Sequence, residues 1–165
     1  MVKFILGIVI VCFTSFCGYV LARRYRERKE FFSQLYEFNE RFLNEIAYYR
    51  RPLAEFARIY TYKGEFQQTL NGFFISMKEG RERACTVNEA IVLPDFLAEE
   101  ENVLLRDYFS MLGRGDSNSQ KAYFSSVKSA LSDHKKKSAA DCQRYGDLYL
   151  KLGFLLGLAI LVLIV

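Results

Sequence analysis

Residues 4–49 read FILGIVIVCFTSFCGYVLARRYRERKEFFSQLYEFNERFLNEIAYY, and this stretch decides the fold. Its first part, Phe4–Ala22, carries no charge and has 15 apolar residues of 19. As a helix it spans about 28 Å, close to the roughly 30 Å hydrocarbon core of a bilayer. A basic cluster follows at once: Arg23, Arg24, Arg26, Arg28 and Lys29. Then Phe31, Leu35, Phe38, Phe42, Ile46 and Tyr49 recur at spacings of three and four. That is one stripe of an amphipathic helix. After Gly18 no Gly or Pro interrupts the run before Pro52, so an anchor is expected to pass directly into a bundle helix.

A cleaved signal peptide is the rival reading of the first part, and Lys3 suits it. The run is long for one, and a dense basic cluster behind it stops translocation rather than marking a cleavage site. Neither Cys12 nor Cys17 has a lipoprotein-like context, because bulky Val11 and Phe16 precede them. The expectation is an uncleaved anchor over residues 1–22.

The other end repeats the theme. Leu152–Val165 has 12 apolar residues of 14 and is apolar on every face. Its helical length is about 21 Å, short for a span. Lys151 can snorkel, and Leu148, Tyr149 and Leu150 lengthen the run. Residues 152–165 are therefore expected as a second membrane segment; whether it spans alone or only beside the first is left open. Gly153 with Gly157, and Gly18 with Ala22, form small-xxx-small pairs that let membrane helices approach closely. The basic cluster outweighs the lone Lys3, so the positive-inside rule places residues 23–151 in the cytoplasm and both termini on the opposite side.

Composition agrees. Of 165 residues, 51% are apolar; without the two end runs about 43% remain, ordinary for a folded soluble domain. The middle is too rich in Phe and Tyr to be disordered. With 2 Pro, 10 Gly and no long period, it is neither collagen-like nor a repeat array. Residues 23–165 carry 22 basic and 19 acidic side chains, which is no nucleic-acid footprint. The basic cluster reads instead as a membrane-surface and topology signal. Cys85 and Cys142 stand far apart, no CxxC occurs, and His134 is the single histidine, so thiols are expected and a metal site is not.

The middle reads as helices. Pro52 ends the first and opens a short second through Leu53, Phe56, Ala57 and Ile59. Gly64 marks a turn; Phe66, Leu70, Phe73, Phe74 and Met77 then form a stripe closed by Gly80. Thr86 with Glu89 is a capping-box pattern for a short helix through Ala90 and Ile91, stopped near Pro94. Leu97, Leu104, Leu105, Tyr108, Phe109 and Leu112 mark the next, with Glu99, Glu100 and Glu101 in a first turn where the dipole favours them. Gly113 and Gly115 end it. Asp116 or Ser117 caps the last helix, which carries Tyr123, Phe124, Val127, Leu131, Tyr145, Leu148 and Leu152 into the second span. The fold class is all-α: an antiparallel bundle of about six helices whose first and last members continue into the membrane segments.

Catalytic constellations are missing from the sequence. There is no GxxxxGK[ST] phosphate loop, no GxSxG and no HExxH. His134 beside Lys135, Lys136 and Lys137 reads as a solvated face, and Glu99–Glu101 as exposed dipole charges rather than paired acids. Arg114–Asp116 spells RGD, a chance tripeptide without adhesive meaning in a cytoplasmic loop. The aromatic stripes read as core, not as stacking platforms. Arg50 and Arg51, with Arg81 and Arg83 near helix ends, are the candidates for a charged partner surface. Neither an enzymatic activity nor a cofactor is expected.

Several segments together resemble a known family. Ala22-Arg23-Arg24-Tyr25-Arg26-Glu27-Arg28 follows the first span. Leu43-Asn44-Glu45-Ile46-Ala47-Tyr48 precedes Pro52-Leu53, and Leu112-Gly113-Arg114-Gly115-Asp116 precedes Gln120. The chain closes from Tyr145 through Leu152-Gly153 to Gly157 and an apolar tail. In order and spacing these resemble stage III sporulation protein AB of endospore-forming bacteria, over nearly the whole chain. Lys29 stands where that family often has Pro, and residues 60–95 are least similar.

The resemblance implies a part in the apparatus that links mother cell and forespore. The family's soluble part is similar to the cytoplasmic helical domain of platform proteins in type II secretion and type IV pilus machines. By that likeness the protein would couple a cytoplasmic hexameric ATPase, stage III sporulation protein AA, to other membrane proteins of the channel. It would sit in the outer forespore membrane with its bundle in the mother-cell cytoplasm. The alternatives are a membrane-tethered regulatory or ligand-sensing domain, which needs a polar-lined pocket where the stripes look apolar, and a membrane-bound carboxylate enzyme.

Overall fold

A computed structural model describes residues 2–49, 53–83, 91–112, 114 and 116–164, with the side chains at 2–6, 54, 57–58, 79–83 and 164 set aside. Helix α1 spans Val2–Asn44 and ends in a π-helical turn, Glu45–Tyr49. Helix α2 is Leu53–Ile59, α3 is Gly64–Arg83 and α4 is Glu99–Met111. Helix α5 runs Ser117–Asp141 and passes through a second π-helical turn, Cys142–Gly146, into α6, Asp147–Ile164. No strand occurs among the described residues.

The expected count of about six bundle helices is not met. The described residues hold four long helical runs, α5 and α6 being one of them, and the two-turn α2. The short helix expected from the Thr86–Glu89 cap falls on residues 84–90, outside the described residues. Ile91–Pro94 beyond it is not helical, as a proline disfavours helix at the residue before it.

The chain divides into two compact units. One is residues 30–135; the other joins residues 1–29 to residues 136–165. The first unit has an aromatic core. Phe31, Phe32, Leu35, Phe38 and Phe42 of α1 are buried, with Phe56 of α2, Phe66, Leu70 and Phe73 of α3, Leu105, Tyr108 and Phe109 of α4, and Phe124 and Leu131 of α5. Phe38 lies at its centre, with ring centroids 5.5 Å from Phe56, 5.8 Å from Phe66 and 6.5 Å from Tyr108. Phe42 meets Phe124 edge-on at 5.0 Å. Burying each such ring contributes about 1.5–3 kcal/mol, and each edge-to-face pair adds roughly 0.5–1.5 kcal/mol. Tertiary packing therefore holds these helices more than propensity does.

The α1 stripe departs from expectation at its end. Tyr49 is 63% exposed. A π-helical turn takes more residues per revolution than an α-helix, which rotates Tyr49 off the face that Phe42 occupies. The stripes are not wholly apolar either: Asn39 is fully buried among them. Its amide donates to the Phe124 carbonyl at 3.2 Å and accepts from the Tyr108 hydroxyl at 3.2 Å.

Turns follow local chemistry. Gly64 has φ 56°, the left-handed conformation that glycine enters without cost. Gln34 of α1 holds this corner by donating to the Lys63 carbonyl at 3.0 Å. Asp116 caps α5, accepting from Asn118 N at 3.1 Å and from the Ser119 hydroxyl. The hydrogen bonds from Ser119 hold its carboxyl below the usual carboxylate range.

In the second unit α1 and α6 run antiparallel, since contacts step up one helix as they step down the other. A methyl group on Gly18 would lie 2.6 Å from the Tyr149 carbonyl. One on Gly153 would lie 2.7 Å from the Thr14 carbonyl and 3.1 Å from Gly18 Cα. Gly18 of one expected small-residue pair thus meets Gly153 of the other, backbone against backbone, while Gly157 packs on Thr14 and Val11. Thr14 faces this seam with its hydroxyl donated to the Ile10 carbonyl at 3.0 Å.

Candidate functional site

Away from the seam the helix pair is greasy and uncovered. Phe13 is 66% exposed, Phe16 63%, Leu155 59% and Val162 74%. Both runs are long and apolar enough to cross a membrane. An uncovered apolar surface of this extent marks a lipid-facing or partner-facing face.

The basic cluster forms a collar where the uncharged run of α1 ends. Its five members do different things. Arg23 Nε donates to Glu27 Oε1 at 2.6 Å along the helix. Arg28 Nη1 reaches Asp141 Oδ2 at 2.9 Å on α5, a half-buried ion pair that ties the two segments of this unit together. Arg24, Arg26 and Lys29 are exposed and form no ion pair among the described residues. Exposed pairs such as Arg23–Glu27 contribute little to stability, whereas the partly desolvated Arg28–Asp141 pair fixes geometry.

An aromatic group sits within the collar. The Tyr25 ring lies 5.6 Å from Tyr145 and 5.8 Å from Tyr149, and Arg144 rests 5.5 Å over Tyr145. Burial, and then the hydrogen bond with Tyr149, raise the Tyr25 hydroxyl above its ordinary pKa. Tyrosines of this kind anchor helices at membrane–water interfaces. The sequence carries no signal for this trio: periodicity places Tyr145 on a core stripe, and Tyr25 and Tyr149 meet only once the chain ends are brought together. Asp141 as the partner of Arg28, 113 residues away, had no sequence signal at all.

The proposed partner-surface residues fare differently. Arg50 and Arg51 lie outside the described residues, as do the side chains of Arg81 and Arg83. Next to Arg50, the π-turn presents Tyr48 at 80% exposure and Tyr49. Two readings of the acidic and histidine groups need correction. Glu99 and Glu100 are exposed, but Glu101 is 3% exposed and accepts from the Ala98 backbone N–H at 3.0 Å. His134 does not lie on a solvated face. It stacks on Phe32 at 5.1 Å, with Nδ1 3.3 Å from Glu101 Oε1 but outside hydrogen-bond alignment. The fold brings α4 and α5 together there, and an aromatic floor shields one side of the imidazole.

The family model for stage III sporulation protein AB matches residues 3–165. The chain belongs to the stage III sporulation protein AB family. Comparison with curated proteins and with solved structures found no match. Membership in the stage III sporulation protein AB family implies a role in stage III of sporulation. It also gives the collar a context, since the matched residues 3–165 include both apolar helices and the bundle.

Proposed function

We propose that the chain is a non-enzymatic membrane platform of the mother cell–forespore channel, coupling a cytoplasmic ATPase to the membrane complex. The observation that carries this reading is helix α1. A single helix, Val2–Asn44, holds the uncharged run, the basic collar and the buried Phe31–Phe42 face. A device that passes force or position from a motor to a membrane needs such continuity. The sequence resemblance implies that the family's soluble part is similar to secretion and pilus platform domains, an expectation that agrees with the same reading. On it, stage III sporulation protein AA is the motor, the outer forespore membrane holds α1 and α6, and the bundle faces the mother-cell cytoplasm. The exposed Tyr48 and Tyr49, beside Arg50 and Arg51, suit a partner surface of aromatic anchors and cations.

The test is calorimetry of the full chain in nanodiscs with purified stage III sporulation protein AA, at two salt concentrations. Saturable binding that weakens in high salt supports a charged motor interface. No binding up to high concentration removes the coupling role.

A further inference from the structure

We propose that a groove beside the collar binds one phosphodiester group, carried by an anionic membrane lipid. The groove lies within the second unit and holds about 520 Å³, in the range of small-ligand sites. One wall is α1 from Ala22 to Lys29; the other runs from Ala139 of α5 through the π-turn to Leu150 of α6. Ala22, Gly146 and Leu150 form an apolar part. Arg26 and Lys29 supply cations, and Asp147 and Gln143 complete the polar part.

Four observations converge. Of the five collar cations, Arg23 and Arg28 are engaged with carboxylates, while both cations that line the groove lack an ion pair among the described residues. Two cations and the Asp147 carboxylate leave a net charge of +1. That matches the single negative charge of a phosphodiester, with Gln143 as a neutral donor for its further oxygens. Finally, the groove begins at Ala22, the last residue of the uncharged run, and Leu150, beside the second apolar run, also lines it, so it lies at headgroup depth. A headgroup attached to a chain-bearing glycerol suits that polarity; a free phosphate leaves the apolar part unused. The wall supplied by Cys142–Gly146 is π-helical, a local widening that recurs at functional sites.

The experiment is native mass spectrometry of the full chain released from nanodiscs containing equal phosphatidylglycerol and phosphatidylcholine. One retained phosphatidylglycerol per chain is expected, preferred over phosphatidylcholine by roughly tenfold. The double variant R26Q/K29Q should lose that preference, while R24Q, which alters a collar cation outside the groove, should keep it. D147N, which removes the one repulsive charge, should raise retention several-fold; it guards against loss of binding through misfolding. Equal loss in R24Q and R26Q/K29Q would show diffuse surface attraction and overturn the site. So would unchanged or weaker retention in D147N, or equal retention of the two lipids. Displacement of the lipid by millimolar glycerol 3-phosphate or inorganic phosphate would assign the groove to a soluble phosphate and overturn the lipid as its source.

Discussion

Asn39 carries the polar geometry of the bundle core. Its side chain serves the Tyr108 hydroxyl and the Phe124 carbonyl, linking α1 to α4 and α5 inside the aromatic core. A buried hydroxyl left without its partner costs roughly 1–3 kcal/mol, more than a satisfied neutral hydrogen bond contributes. Asn39→Ala, which strands the Tyr108 hydroxyl, and Tyr108→Phe, which strands the Asn39 amide oxygen, should each lower stability by about 1–3 kcal/mol in thermal unfolding of the full chain in micelles, and the double variant should lose less than their sum. Fully additive losses would mean the link is not the reason for the asparagine. Tyr62 allows a test by pH. Burial pushes its phenol up to about 12. The folded state thus holds the Tyr62 proton more tightly than the unfolded chain. Its contribution is complete below about pH 10 and is lost as pH rises through about 12. Melting temperatures should fall across that window, and less steeply in Tyr62→Phe; an identical slope in both would exclude Tyr62 as a source. Asn39 looked like one more position on an amphipathic helix, because single-sequence periodicity cannot separate a buried amide from a solvated one. Its partners come from residues 69 and 85 positions away.

The elements differ in how they cohere. Helices of the first unit are held by ring packing, which tolerates small shifts of backbone. The pair α1 and α6 is held by backbone contact at Gly18 and Gly153, which tolerates none. Gly153→Val should force the helices apart, because even one methyl carbon would stand 2.7 Å from the Thr14 carbonyl. Spin labels at the exposed Ile8 and Val162 should report a longer, broader distance in that variant. Gly72→Val, where a methyl meets nothing within 4 Å, should leave it unchanged. An unaltered distance in Gly153→Val would mean that the seam does not hold the pair. Both small-xxx-small pairs were legible in the sequence, since glycine spacing alone flags them. The two π-helical turns were not: one ends α1 and the other joins α5 to α6, and neither has a local sequence signal.

For the whole molecule, charge asymmetry and helix continuity carry the functional reading. If residues 23–151 face the cytoplasm, a single cysteine placed at exposed Ser126 should react with a membrane-impermeant thiol reagent only after the cell membrane is opened. Labelling in intact cells would invert the topology and remove a cytoplasmic motor as partner. The amino-acid sequence by itself determined the helical class, the two apolar end runs, most of the buried stripes and the family, because each depends on local periodicity, composition or ordered short segments. Only the tertiary structure decided the antiparallel seam, the pairing of Arg28 with Asp141, the shielding of His134 on Phe32 and the groove that leaves Arg26 and Lys29 to face Asp147. Those contacts join residues far apart in the chain, and packing alone selects which distant side chains meet.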